Sequence, residues 1–167
     1  MGILSAVLLD LLQEQFRHET ANSLRYIARS SYARYRGLEA TADFFSREAE
    51  GEQEHARVVR SWIEDRNCAV IPEPLTYTDS SSFSSYTDLF VSALLVERGT
   101  TERLNTLYFT ALGECDGMLA IAVQKLLAEQ TEEENLYQTI LDRIKARGSD
   151  AATDHDIDIW IGERFLK

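Results

Sequence analysis

Apolar residues recur every three or four positions over long, unbroken stretches, which is the pattern of amphipathic helices. Leu8, Leu12, Phe16, Leu24 and Ile27 carry it from about residue 4 to 36, and Gly37 is placed to end that helix. A second helix is predicted over 40–65, with Phe45, Val59 and Trp62 near one stripe. A third runs over 86–112 and a fourth over 118–147, separated by the turn Gly113-Glu114-Cys115-Asp116-Gly117. Gly148-Ser149-Asp150 breaks the fourth, and a short fifth helix is predicted over 153–165. Strand alternation is nowhere sustained, and no tandem repeat is found. Residues 67–85 differ: they hold the only two prolines, Pro72 and Pro74, and the run Ser80-Ser81-Ser82. Loops this long inside a domain are functional or connecting. Helical patterning resumes in full afterwards, so the segment reads as a crossover. The expected fold is all-α and fills one domain over 1–167: two helical hairpins joined by one long connection, plus the short fifth helix.

Each long helix places polar residues where its apolar stripe should continue. In the first, Leu12 and Phe16 lead to Glu19, with Ser23 and Tyr26 following. In the second, Glu52 and His55 stand three residues apart on the stripe, side by side on one face. In the third, Phe90 and Leu94 lead to Glu97, then Thr101 and Leu104. In the fourth, Leu126 leads to Gln130 and Glu133, then Tyr137 and Ile140. A chain with 28 acidic residues has glutamates at every helical phase, so any one of these alone reads as exposed. Four helices agreeing in phase and height call for another explanation. A charge facing a core is costly unless it is compensated. Two divalent cations held close together need bridging carboxylates, and imidazole suits iron and its neighbours.

The charge balance agrees. A net charge of -11 argues against nucleic acid or an anionic membrane surface and suits a protein that handles cations. With 44% hydrophobic residues in 167, the chain is long and apolar enough for a full core. Cys68 and Cys115 form no CxxC, so neither a disulfide scaffold nor a thiolate metal site is implied. Two free thiols fit a reducing compartment, and a cytoplasmic location is expected. No transmembrane span is predicted: the apolar run Ile3 to Leu12 is short, is interrupted by Asp10 and lacks a basic flank. Met1-Gly2 opens like a myristoylation signal, but position 6 is Ala rather than Ser or Thr.

Glu19 followed by Tyr26, Glu52-Gln53-Glu54-His55, Glu97, and Glu129-Gln130-Thr131-Glu132-Glu133, in this order and spacing, resemble the non-haem ferritins of bacterial type. The resemblance covers nearly the whole chain, including the crossover and fifth helix, and implies a ferritin-like four-helix bundle. It further implies iron storage through a ferroxidase centre: Fe(II) binds, O₂ or peroxide oxidises it, and ferric mineral collects inside a 24-subunit homo-oligomeric cage. Glu19, Glu52 and His55 would bind one iron. Glu52 would bridge to a second held by Glu97, with Gln130 and Glu133 nearby. Tyr26 would stand beside the pair, either as an electron donor or as a buried hydroxyl bonded to a ligand carboxylate.

Departures from related families sharpen the reading. The fourth helix offers Gln130-x-x-Glu133 rather than a second Glu-x-x-His, unlike bacterioferritins and di-iron oxygenases. Gln53 stands where bacterioferritins carry a haem-binding Met, so no haem is expected. No rubredoxin-type cysteine pairs exist. Some bacterial ferritins hold a third iron using the carboxylate before the bridging Glu. Here that residue is Gly51, so a third position is expected to be weak or displaced toward Glu129 and Glu132.

Other groups are assigned to the surface or left open. His18 is expected to point off the face of Glu19 and lie on the surface. His155 sits among Asp154, Asp156 and Asp158, a solvated acidic helix start or a cation site. Glu114 and Asp116 are placed to line an ion access path, whereas Leu119, Ala120 and Val123 occupy the region where animal ferritins carry acidic channel residues. Ile157, Ile159, Trp160, Ile161, Phe165 and Leu166 give the fifth helix more apolar surface than a tail needs, which predicts an interface. Two alternatives to storage stay open: a di-iron oxidase or peroxidase that stores nothing, and an inactive structural bundle subunit.

Overall fold

The computed structural model describes residues 4–75, 83–148 and 150–166. Five helices account for most of them: α1 (Ala6–Tyr35), α2 (Glu39–Glu64), α3 (Tyr86–Gly113), α4 (Gly117–Arg147) and α5 (Ala151–Phe165). The first four form the bundle, α1 against α2 and α3 against α4, and the fifth packs across α2 and α4. The serine run of the crossover lies outside the described residues.

Helix ends follow local chemistry. Ser5, Ser85, Asp116 and Asp150 each turn a side-chain oxygen back onto a first-turn amide of α1, α3, α4 and α5. Gly37, at φ +75°, closes α1 in the left-handed region that costs glycine nothing. The start of α2 has no side-chain cap of its own, because Leu38 occupies that position. Asp158, arriving from α5, does the work instead: the Thr41 backbone N–H donates to its Oδ1 at 2.7 Å and Ala40 N–H to Oδ2 at 3.4 Å. The crossover is strapped to α1 by Gln13, whose Nε2 donates to Ala69 O at 2.7 Å and whose Oε1 accepts from Ile71 N–H at 3.0 Å.

The interior falls into two apolar clusters. One holds Tyr26, Phe44, Phe45, Leu89, Phe90, Tyr137 and Ile140, and α5 closes it with Ile157 and Ile161. The other holds Leu8, Leu12, Val59, Ile63, Leu104, Leu107, Val123 and Leu126. Every long helix contributes to both clusters, and on each helix the polar interruption sits between the two contributions: Glu19, Glu52, Glu97 and Gln130. Chain order therefore brings the four interruptions to one level, a polar layer with hydrocarbon above and below it.

Several expectations need correction. Leu24 and Ile27 are exposed, while Asn22, Ser23, Arg29 and Ser30 are buried on α1, so its inward face is more polar than the periodicity suggested. The apolar residues of α5 are largely spent inside the chain: Ile157 and Ile161 are buried, and Trp160, Phe165 and Leu166 pack on the same cluster, leaving Ile159 exposed. Little of that helix remains as free apolar surface. Leu119, Ala120 and Val123 also face inward and are core residues.

Candidate metal centre

The polar layer is a carboxylate cluster supplied by all four long helices. Glu19 of α1 is fully buried, Glu52 of α2 and Glu97 of α3 nearly so, and Gln130 of α4 likewise. Ligand atoms of Glu19, Glu52 and His55 all lie within 4.8 Å of one another. This follows from the three-residue step on α2, which sets Glu52 and His55 on one face, and from α1 lying alongside. His55 Nδ1 is 3.4 Å from Glu52 Oε2, and His55 Nε2 is 3.2 Å from Glu129 Oε2. Glu129 itself is exposed.

Glu97 is held from two sides. The Tyr26 hydroxyl donates to its Oε1. Gln130 Nε2 donates to its Oε2 at 2.9 Å and to its backbone carbonyl at 3.2 Å. The Gln130 nitrogen is thus aimed at the carboxylate, which makes Gln130 an orienting neighbour of Glu97 in this state. Gln15 acts similarly on α1, donating Nε2 to Glu19 Oε1 at 2.6 Å. Neither Gln15 nor this role of Gln130 was apparent from the sequence.

Among the described residues, two buried side-chain oxygens have no hydrogen-bond partner: Glu19 Oε2 and Glu52 Oε2. An orphaned buried carboxylate oxygen is expensive, and here two occur in one cluster beside an imidazole. The electrostatics carry the same message. Burial, then the charge of Glu52, pushes Glu19 well above the usual carboxylate range. Burial and the charge of Glu97 do the same to Glu52. Glu133 is pushed up to about 10 by burial and by Glu97. Without a cation, the cluster holds protons that an ion would displace. The donor set, carboxylate oxygens plus one imidazole, suits a hard or borderline divalent metal.

A cavity of about 60 Å³ opens among these groups, walled in part by Glu52, His55, Glu97 and Glu133. It has room for ions and small oxygen species and none for an organic substrate. A larger cavity, about 480 Å³, lies elsewhere, at the end of the bundle between Trp62, Arg66 and Cys115. Its polar groups are committed to structure: Arg66 donates to both Asp116 oxygens at 2.8 and 3.1 Å, and the same Asp116 caps α4. Asp116 is therefore a structural anchor, while Glu114 remains exposed.

The small cavity also contains a residue that the sequence reading missed. Glu48, one turn before Glu52, lines it, and Tyr137 donates its hydroxyl to Glu48 Oε2 at 2.9 Å. Burial raises Glu48 to about 7, although the Tyr137 bond pulls it down. The signal was the spacing Glu48, Glu52, His55, which continues one helical face at i, i+4 and i+7. Conversely, Glu132 is exposed on α4. His18 is half-buried rather than on the surface: Nε2 is 2.8 Å from Thr100 Oγ1, and burial, then Arg103 and Arg25, depress it to about 3. The acids around His155 have other employment. Asp154 faces Arg36 at 3.8 Å, Asp156 faces Arg147 at 3.7 Å, and Asp158 caps α2.

The ferritin-like domain model matches residues 9–147, spanning all four long helices and the whole carboxylate layer. The chain belongs to the ferritin family. A bacterial non-heme ferritin of Staphylococcus saprophyticus is 30% identical over 155 residues, covering 90% of both chains. One from Staphylococcus haemolyticus is 29% identical with the same coverage. Among solved structures, an open-pore ferritin from the archaeon Archaeoglobus fulgidus superposes with a TM-score of 0.90 at 22% identity, covering 96% of this chain and 99% of the other. At that identity the likeness speaks for the fold, a four-helix bundle with a short C-terminal helix. Family membership gives iron storage or ferroxidase chemistry as the kind of function. Among the described residues, no helix is long and apolar enough to cross a membrane.

Proposed function

We propose that this ferritin-family chain is an iron-storage subunit with an intra-subunit di-iron ferroxidase centre. The observation that carries the reading is the convergence of Glu19, Glu52 and His55 within 4.8 Å, with one orphaned oxygen on each of the two carboxylates. Fe(II) is the substrate. Glu19 and His55 hold one ion, Glu52 bridges, and Glu97 with Glu133 holds the second. Gln130 and Tyr26 fix the Glu97 carboxylate from either side. Four carboxylates against two divalent ions leave the occupied centre close to neutral, which is what a buried site requires.

Binding of Fe(II) expels the protons that burial holds on Glu19, Glu52 and Glu133. Two Fe(II) ions then give up two electrons, reducing O₂ to H₂O₂ or H₂O₂ to water. Tyr26 stands in hydrogen-bond contact with Glu97 and is positioned either to give an additional electron or to anchor that ligand. Ferric product moves into the interior of a closed homo-oligomer, read as a 24-subunit cage in the cytoplasm. The free thiols of Cys68 and Cys115 are compatible with a reducing compartment.

Glu52→Ala tests the assignment. Fast Fe(II) oxidation, followed by near-ultraviolet absorbance after mixing with O₂, should be lost while the circular dichroism stays helical. Wild-type oxidation kinetics in that variant would sink it. Light scattering and iron retained per subunit separate storage from a non-storing oxidase: a full-length protein that stays monomeric or dimeric at micromolar concentration stores nothing.

A further inference from the structure

Two phenols stand beside the carboxylate layer, and they meet different surroundings. Tyr26 and Tyr137 are both buried, with ring centroids 6.3 Å apart and planes within 5° of parallel. Tyr26 donates its hydroxyl to Glu97, and the Arg29 guanidinium lies 5.4 Å from the centroid of its ring. Tyr137 donates its hydroxyl to Glu48 Oε2 at 2.9 Å. Among the described residues, no cation stacks on the ring of Tyr137.

A phenol that loses an electron must also lose its proton, because the oxidised ring is a strong acid. Its ease of oxidation therefore depends on the charge over the ring and on the base at its hydroxyl. A cation against the π face draws on the ring's electrons and makes one harder to remove. Arg29 sets that obstacle on Tyr26. The base at Tyr26 is also a poor one. In the di-iron reading Glu97 is a metal ligand, and a carboxylate that shares its charge with a cation accepts a proton weakly. Glu48 lies outside that ligand set and stands within hydrogen-bond reach of the Tyr137 proton. It also lines the small cavity with Glu52, Glu97 and Glu133, which puts the Tyr137 hydroxyl one side chain away from the place where oxygen is reduced. Divalent ions in that cavity keep Glu48 ionised, ready to accept a proton.

Resting on the di-iron reading, we propose that Tyr137, with Glu48 as its proton acceptor, is the phenol that gives an electron during oxygen reduction, and that Tyr26 serves as the anchor of Glu97. The two Fe(II) of the centre bring O₂ to H₂O₂. Reducing H₂O₂ to two waters takes two more electrons and two protons. One electron comes from a further Fe(II) arriving as substrate, and the other from Tyr137. The Tyr137 O–H bond breaks, its proton passes to Glu48 and its electron to H₂O₂, whose O–O bond breaks. Two protons from solvent complete the two waters. A later Fe(II) returns an electron to the phenoxyl radical, and Glu48 returns the proton, so the pair is restored.

The test is freeze-quench electron paramagnetic resonance of the full-length protein after mixing with Fe(II) and O₂, with released H₂O₂ measured in parallel. Wild type should show a phenoxyl radical and release little H₂O₂. Tyr137→Phe keeps the stacked ring and should remove the radical and release H₂O₂. Glu48→Gln keeps an acceptor oxygen in place but is no base, and should lower the radical yield by roughly tenfold or more. Tyr26→Phe should keep the radical, even where the loosened Glu97 slows iron oxidation. Circular dichroism confirms the helical fold of each variant before it is scored. A radical that survives Tyr137→Phe, disappears in Tyr26→Phe or is undiminished in Glu48→Gln would overturn the proposal and leave the di-iron reading intact. Fast iron oxidation in wild type with no radical would do the same. A wild type that shows no fast iron oxidation would overturn both.

Discussion

Gln130 donates its amide nitrogen to Glu97 at 2.9 Å across the α3–α4 contact, and Tyr26 grips the other oxygen of the same carboxylate from α1. Glu97 thus reaches the proposed metal centre already oriented by two helices that are remote in sequence. Gln130→Ala removes one of the two grips and should weaken the second metal position by roughly ten- to a hundredfold, the usual cost of losing a group that orients a ligand. The Glu19–Glu52–His55 position should keep its affinity. Stepwise Co(II) titration by visible absorbance reads the two separately, and equal weakening of both would contradict this division.

Stability of the metal-free protein should fall as pH rises. The ordinary carboxylate value here is 4.5, whereas the fold raises Glu48 to about 7 and Glu133 to about 10. The folded chain therefore binds protons more tightly than the unfolded one between those limits. The contribution is fully present below about pH 4.5 and is lost as pH rises through 7 and on toward 10. Melting of chelator-treated protein at pH 6 and pH 9 should show the lower midpoint at pH 9. Added divalent metal should shrink that difference, because the cation replaces the proton. A metal-free midpoint that rises across this interval would refute the account.

Asp158→Ala should destabilise the chain by about 1–2 kcal/mol, the cost of losing a helix cap, here one with a charged acceptor. Asp158 supplies to α2 what Leu38 cannot, through the Thr41 amide at 2.7 Å. Denaturant titration measures the loss. Asp158→Asn, which keeps one acceptor oxygen, should recover part of it.

Gly51→Ala should stabilise the protein by about 0.5–1 kcal/mol, because the residue is helical and exposed and its Cβ has free space. The melting midpoint should rise with two-site metal binding unchanged. A fall would show that the backbone at Gly51 relies on the absent side chain in the assembled state.

Much of this was fixed by the sequence alone. A helix carries its own period, so Leu8, Leu12, Leu94 and Leu126 define faces without knowledge of any neighbour. A carboxylate or imidazole on such a face announces itself locally, which is why Glu19, Glu52, His55, Glu97 and Glu133 stood out as candidate ligands. Bounds came within about two residues because Ser85, Asp116 and Gly148 act on the adjacent turn. What the sequence could not supply is which helix covers which face. Leu24 and Ile27 keep the right period but are exposed, while Arg29 on the same helix is buried against α3. Glu48 reads as one more surface glutamate until Tyr137, 89 positions away, is brought onto it. The fifth helix looks like an interface until Ile157 and Ile161 are seated on α2 and the aromatic cluster. Periodicity is a property of one helix and is written in its residues; partnership depends on the packing of several, and only the folded chain decides it.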